Sequence, residues 1–270
     1  MSALRLATLV LTAPEPRESE RFYRWCLDLE PDAGPAQADD VVLSWGHEDR
    51  ILLVPAAEPD GGESFALRMP ARPLGGIVAW CRETGLVPER ATVPAPDLEE
   101  ARAAWPDREV VSARDEASGN RVRIRVRSPG GLPVELEFPL PKEVLAPRGQ
   151  IGPFRWRSRD WSGLEIPGLL GVRIGVPDPA GLRSFARKLG VEPMQGGADD
   201  PLSVGDHQWI VERRDTPGIY GFAVVVSAAR IGALKRTLDH VGVEHRQDGN
   251  RLLAADPGGR IVLIQGIRGA

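Results

Sequence analysis

Ser64 to Glu89 reads SFALRMPARPLGGIVAWCRETGLVPE, and Gly221 to Arg246 reads GFAVVVSAARIGALKRTLDHVGVEHR. The two stretches align without a gap, 157 residues apart. Phe65, Ala66, Ala71, Gly75 and Gly85 fall on Phe222, Ala223, Ala228, Gly232 and Gly242. Each copy reads as a short strand, a break at Pro, Ala or Ser, a helix, and a glycine stop. A repeat on this scale decides the architecture before any single motif is weighed.

A second repeat precedes the first. Leu6 to Pro16, LATLVLTAPEP, aligns with Leu169 to Pro179, LLGVRIGVPDP, 163 residues apart. Pro14, Pro16 and Phe22 fall on Pro177, Pro179 and Phe185. Strand, proline-marked turn and amphipathic helix follow in both places. The first helix, RESERFYRWCLDL, is expected to bury Phe22, Trp25, Cys26 and Leu29 on one face. The second, AGLRSFARKLG, is stopped by Gly190. Two strands come next in each copy, VVLSW and RILLV around the turn GHED, then PLSV and QWIVE around the turn GDH. Each half closes on a hairpin. RVRIRVR and LPVELEF flank SPGG, while NRLLAA and RIVLIQ flank DPGG.

The chain therefore holds four units in the order A, B, A′, B′. None could bury the apolar side of its sheet alone, so pairs must share a core. The expected boundaries are a first domain at 1–140 with modules at 1–57 and 63–140, a Pro- and Trp-containing strap or linker at 141–167, and a second domain at 168–270 with modules at 168–215 and 218–268. Residues from about 91 to 120 read as an insertion in the first domain. Phe154, Trp156 and Trp161 suggest a strap that packs against a domain.

Length, at 270 residues, suits two domains of ordinary size. Hydrophobic content of 42% and charged content of 27% are those of a globular protein. A net charge of −4 gives no reason to expect nucleic acid, whose binders carry basic patches. Two cysteines, Cys26 and Cys81, are too few for a disulfide framework or a cysteine-based zinc site. They read as buried thiols in helices, beside Trp25 and Trp80 as core residues. The opening MSALRLATLVLTAPEP lacks the charged start of a signal peptide and recurs inside the chain. No apolar run approaches the ~20 residues needed to cross a bilayer. Cytoplasmic is the default localisation, without a membrane or nucleic-acid partner, as a monomer or homodimer.

VPDPAGLRSFARKLGVEP and AADPGGRIVLIQ carry a resemblance. They are similar to the strand–Asp–helix–FxxxLG opening and the closing DPxGxxxEL strand of the vicinal oxygen chelate superfamily, which includes glyoxalase I, extradiol dioxygenases and bleomycin-resistance proteins. FALRMPARPLGGIVAWCRETGLVPE followed later by GPFRW resembles a glyoxalase-like branch of it. The resemblance covers nearly the whole chain. It implies an α+β fold, with four βαβββ modules paired into two glyoxalase-like domains whose curved mixed sheets enclose a cavity.

It also implies places for a metal. Metalloenzymes of the superfamily set a His or Glu on first strands and a Glu on a closing strand. Those ligands leave open positions for adjacent substrate oxygens. Carried over, the first-strand positions are Thr8, Ser64, Gly171 and Gly221, and the closing positions are Glu135 and Leu263. One carboxylate and two hydroxyls make a poor divalent site, so no metal and no cofactor are expected. His47 and His207 read as exposed turn residues, and His240 and His245 lie at and just beyond the last helix.

Strand alternation gives the cavity a different content. Thr8, Val10 and Thr12 share a face, as do Ser64, Ala66 and Arg68, Gly171, Arg173 and Gly175, and Glu135 and Glu137. Glu135, Glu137 and Arg68 are the candidate catalytic residues, because a carboxylate crowded by another can serve as a general acid or base. Thr8, Thr12, Ser64, Arg68 and Arg173 are candidate substrate contacts. Arg121, Arg123, Arg125 and Arg127 share one face of their strand, as an anion site or as cross-strand partners of Glu135 and Glu137. The sequence points to a metal-independent glyoxalase-like protein that binds a small organic molecule, with isomerase-, lyase- or hydrolase-type acid/base chemistry. Two alternatives stay open. One is sequestration of a toxic compound, in the manner of bleomycin-resistance proteins; the other is a metalloenzyme with an unorthodox site.

Overall fold

A computed structural model describes residues 4–27, 29–31, 41–45, 49–55, 62–113, 121–139, 168–194, 201–204 and 207–267. The strap, with Phe154, Trp156 and Trp161, lies outside them, as does His47.

The first half runs β1 (Arg5–Ala13), α1 (Pro16–Leu27), β2 (Glu30–Pro31), β3 (Val41–Trp45), β4 (Asp49–Pro55), β5 (Ser64–Arg68), α2 (Leu74–Thr84), β6 (Arg90–Val93), α3 (Leu98–Ala104), β7 (Glu109–Ser112), β8 (Arg121–Arg127) and β9 (Pro133–Pro139). The second runs β10 (Gly168–Val176), α4 (Pro179–Lys188), β11 (Glu192–Pro193), β12 (Leu202–Val204), β13 (His207–Arg213), β14 (Gly218–Ser227), α5 (Ile231–Val241), β15 (His245–Asp248), β16 (Arg251–Ala255) and β17 (Ile261–Ile267).

The strands form two mixed sheets, in the orders β2-β3-β4-β1-β5-β9-β8-β6-β7 and β11-β12-β13-β10-β14-β17-β16-β15. The orders match strand for strand except for β7. The two repeats seen in the sequence therefore each became a βαβββ module. In each half the modules join through their first strands, β1 antiparallel to β5 and β10 antiparallel to β14. The insertion is smaller than 91–120. Its first strand, β6, pairs with β8 as β15 pairs with β16, so it belongs to the module. The added part is α3 with β7, which runs parallel to β6 and extends the sheet by one strand. At four residues, EVVS, that strand is too short for a pattern to stand out in the sequence.

Alternation gives each sheet one closed face. Leu9, Leu11, Ile51, Leu53, Phe65, Leu67, Ile124 and Leu136 are fully buried in the first, and Val172, Ile174, Trp209, Val224, Val262 and Ile264 in the second. These faces turn toward each other. Phe65 meets Trp209 edge-on at 4.8 Å between ring centroids, and Tyr23 of α1 stacks on Phe222 at 6.1 Å. One contiguous core runs through both halves. The opposite faces, called open below, carry most of the polar side chains of each sheet.

Local signals place the helices. Asp178 caps α4 by accepting a hydrogen bond from the Gly181 N–H at 2.9 Å, with Pro179 at the first helical position. Gly85 and Gly242 end α2 and α5 at φ of 67° and 71°, a left-handed conformation that glycine takes without a steric penalty. The expected face of α1 needs correction. Phe22, Tyr23 and Leu27 are buried, whereas Trp25 is 57% exposed. Trp80 and Cys81 are buried as expected. His207 is not an exposed turn residue. It begins β13 on its closed-face side, beside Trp209, and is only 8% exposed. No helix among the described residues is long and apolar enough to cross a membrane.

Candidate functional site

The strand registers set side chains of the first open face in rows. One row crosses all nine strands: Glu30, Ser44, Arg50, Thr8, Ala66, Glu135, Arg125, Arg90 and Glu109. The next holds Arg68, Glu137, Arg123 and Thr92. On the other side lie Val42, Leu52, Val10 and Ser64. The face is thus divided. Arginines and glutamates dominate β6, β8 and β9, while β1, β3 and β4 carry aliphatic and hydroxyl side chains with Arg50 among them.

Glu137 lies at the centre of the charged half, with its side chain 11% exposed. Arg68 and Arg121 approach its Oε2 at 3.7 and 3.6 Å, and Arg123 approaches Oε1 at 3.5 Å. Both oxygens are committed to guanidinium groups. Glu135 differs: its side chain is 35% exposed and its ion pair is with Arg125 at 3.8 Å. Glu135 also lines a pocket of about 130 Å³ with Arg90, Thr92, Arg123 and Arg125. Arg121, Arg123 and Arg125 of β8 are thus cross-strand partners of Glu135 and Glu137, Arg127 pairs instead with Glu89 at 2.7 Å, and Arg123 and Arg125 also line the pocket.

Of the three candidate catalytic residues, Arg68 and Glu137 form an ion pair, while Glu135 shares their face and pairs with Arg125. Thr8 sits two strands from Glu135 in the same row. Ser64 is on the same face, 1% exposed, and its Oγ has no hydrogen-bond partner among the described residues. Thr12 and Arg173 do not join them. Arg173 lies on the open face of the other sheet, 3.3 Å from Glu212. Thr12 belongs to a buried network where the two halves meet.

That network was not foreseen. Arg260, just after the DPGG turn, donates to Glu63 through Nε at 2.8 Å and through a terminal nitrogen. The same nitrogen donates to the Thr12 carbonyl oxygen, and the other reaches Asp256 Oδ2 at 3.0 Å. Tyr23 donates its hydroxyl proton to Asp256 at 2.5 Å, and the Ile219 N–H donates to Glu63. Burial, reinforced by the Asp256 charge, pushes the Tyr23 phenol well above its ordinary range. For Arg260 burial works against the charge, but Glu63 and Asp256 outweigh it and the pKa is raised. The only sequence signal was Asp256, where the first half has Ser128.

The metal positions fail a fit test on their donor chemistry. In register with Thr8 and Glu135 stands Ala66, two residues from the expected Ser64 on the same face. The matching row of the second sheet is Gln208, Gly171, Ala223, Leu263 and Leu253. Thr, Ala and Glu on one side and Gly, Ala and Leu on the other do not make a His/Glu set. A Cβ on Gly171 would fall 2.5 Å from the Gln208 carbonyl oxygen, and one on Gly221 2.5 Å from that of Ile261. Both lie well inside van der Waals contact, so neither position accepts a side chain without movement of the strands. No group of three or more His, Cys, Asp or Glu residues suited to a metal occurs among the described residues.

No protein-family model matches the sequence, and no curated protein matches it. Solved structures do match the fold. The 2,3-dioxygenase LapB from Pseudomonas sp. KL28 superposes with a TM-score of 0.64 at 16% identity, over 100% of this chain and 94% of that one. The homoprotocatechuate 2,3-dioxygenase from Arthrobacter globiformis gives 0.61 at 15% identity, over 99% and 80%. The Mn(II)-bound glyoxalase from Novosphingobium aromaticivorans gives 0.59 at 14% identity, over 98% and 81%. These likenesses span both halves of the chain. The chain has the paired-βαβββ fold of the vicinal oxygen chelate superfamily, with the resemblance read from the sequence now carried by its structure.

Proposed function

We propose that the open face of the first sheet binds a small organic molecule and acts on it by metal-independent proton transfer. The observation that carries this reading is the row Thr8, Ala66, Glu135, Arg125. A carboxylate about one-third exposed stands there beside a pocket, in a row whose described residues supply no His/Glu set.

The roles follow from the geometry. Glu135 is the acid/base residue, because it reaches the pocket and its oxygens are engaged only by a long ion pair. Arg125 holds it in place. Glu137, with Arg68 and Arg123, is the fixed electrostatic frame, since its oxygens already face three guanidiniums. Thr8 supplies a hydroxyl to the bound molecule, Val10 and Leu52 supply apolar surface, and Ser64, fully buried, lies beneath them. Isomerisation, elimination and hydrolysis all need a positioned proton acceptor of this kind. Arg173 and Thr12 take no part.

A thermal-shift screen of small organic molecules, run on the full chain and on Val10→Trp, tests the location. Ligands of this face stabilise the parent and not the variant, and a ligand that stabilises both refutes the assignment. Glu135→Gln then separates catalysis from sequestration. Loss of turnover with unchanged affinity supports proton transfer. Unchanged behaviour in both respects makes the protein a binder of the bleomycin-resistance kind.

A further inference from the structure

Building on that reading of the first open face, we infer that its ligand is a small amphipathic organic acid, and that Arg90, Thr92, Arg123 and Arg125 form the subsite for its carboxylate.

Three features point the same way. The first is charge. The pocket of about 130 Å³ is lined by three arginines, one threonine and one glutamate. Across β5 to β9 this face carries Arg68, Arg90, Arg121, Arg123, Arg125 and Arg127 against Glu109, Glu135 and Glu137, an excess of three positive charges. On a protein whose overall charge is −4, this concentration of cations is local.

The second is hydrogen-bonding capacity. Arg125 reaches Glu135 only at 3.8 Å, too long for a hydrogen bond, and its Nε has no hydrogen-bond partner among the described residues. Arg90, about half exposed, meets Glu109 at 3.4 Å through Nε, which leaves its terminal nitrogens for the pocket. A guanidinium presents paired N–H groups in a plane, and a carboxylate accepts them two at a time. The Thr92 hydroxyl adds a neutral donor between Arg90 and Arg123 in the rows.

The third is the division of the face. Next to the cationic half, across β5 and β1, stand Ala66, Val10 and Leu52, with Val10 and Leu52 only half-buried. A ligand with its acid group in the arginine pocket lays its apolar body over these residues and passes Glu135 on the way. In the second half the positions matching Arg90, Thr92, Arg123, Arg125 and Glu135 are Arg246, Asp248, Arg251, Leu253 and Leu263, so the central arginine and carboxylate are both replaced by leucine and an aspartate stands where Thr92 is. The subsite is therefore a property of the first half, with β7 buttressing β6 from outside.

The test uses the full chain with benzoate and its neutral isostere benzamide, measured by titration calorimetry. Benzoate is expected to bind at least tenfold more tightly than benzamide. Arg125→Met is expected to weaken benzoate by ~10- to 100-fold, the range for hydrogen bonds to a charged group, and to leave benzamide unchanged. Arg90→Ala, at a half-exposed position that tolerates substitution, provides a second reading in the same direction. Failure of benzoate to bind at ~10 mM overturns the inference. Equal binding of the two probes, abolished by Val10→Trp but indifferent to Arg125→Met, overturns the carboxylate subsite and leaves the assignment of the face standing. Benzoate binding that survives Val10→Trp overturns both.

Discussion

Arg260→Met should separate the two halves energetically. Arg260 is 7% exposed and its side chain contacts Glu63, Asp256 and Thr12. Methionine keeps much of the volume and removes every one of those donors. Glu63 would retain the Ile219 N–H, and Asp256 the Tyr23 hydroxyl and the Arg260 N–H. Two carboxylates would then sit without a cation at positions where the side chains are 18% and 1% exposed. Removing one partner from a buried charge network costs ~3–5 kcal/mol, against ~0–1 kcal/mol for a surface pair. For a chain of this size that lowers the melting temperature by on the order of 10 °C. Urea unfolding of the full chain, monitored by tryptophan fluorescence, measures it. Adding Glu63→Gln to Arg260→Met should recover part of the loss, because the two sites share one interaction. A cost below ~1 kcal/mol, or strict additivity of the two substitutions, would refute the idea that this network fastens the halves together.

Other outcomes follow from the same contacts. Glu137→Gln leaves Arg68, Arg121 and Arg123 around a neutral group and should destabilise by ~1–3 kcal/mol, whereas Glu135→Gln should stay within ~0.5 kcal/mol; matched unfolding curves decide between them. Thr8→His with Ala66→His, added to the existing Glu135, should create a divalent-cation site read out as thermal stabilisation by Mn²⁺ or Zn²⁺, since all three positions share a row; no stabilisation would mean the row is misaligned. Burial pushes the Cys81 thiol from 9.0 up to about 11. Because the folded value is the higher, its contribution to stability is intact below pH 9 and is lost as pH rises toward 11, so alkaline unfolding should be steeper for the parent than for Cys81→Ala. The same burial should keep Cys81 unreactive to a thiol reagent in the native protein at neutral pH.

The architecture was legible because it repeats. Two gapless alignments fixed the modules, and the alternation in RVRIRVR and LPVELEF fixed which side chains share a face. Arg68, Glu135 and Glu137 share a face for that reason. Registers between strands are a tertiary property, which is why Ala66 rather than Ser64 stands opposite Thr8. The contacts of Thr12 with Arg260 and Glu63 were not legible for a related reason: it lies near the end of β1, where the strand meets the arginine that follows the DPGG turn of the other half. Arg260, Glu63 and Tyr23 are far apart in sequence and carry no shared pattern, so only the packing of the two closed faces could bring them together. His207 was misread because an Asp-His pair after glycine resembles a turn, while the following Trp209 draws the strand's start into the core.

The most direct test of the central claim is the metal content of the full chain, purified without a polyhistidine tag and measured by elemental analysis alongside thermal shifts with divalent cations. The row Thr8, Ala66, Glu135 and its counterpart Gly171, Ala223, Leu263 predict no stoichiometric metal and no large stabilisation by any divalent ion. One tightly held metal per chain, or a large stabilisation by a single ion lost in Glu135→Gln, would contradict the account and return Glu135 to the role of a ligand.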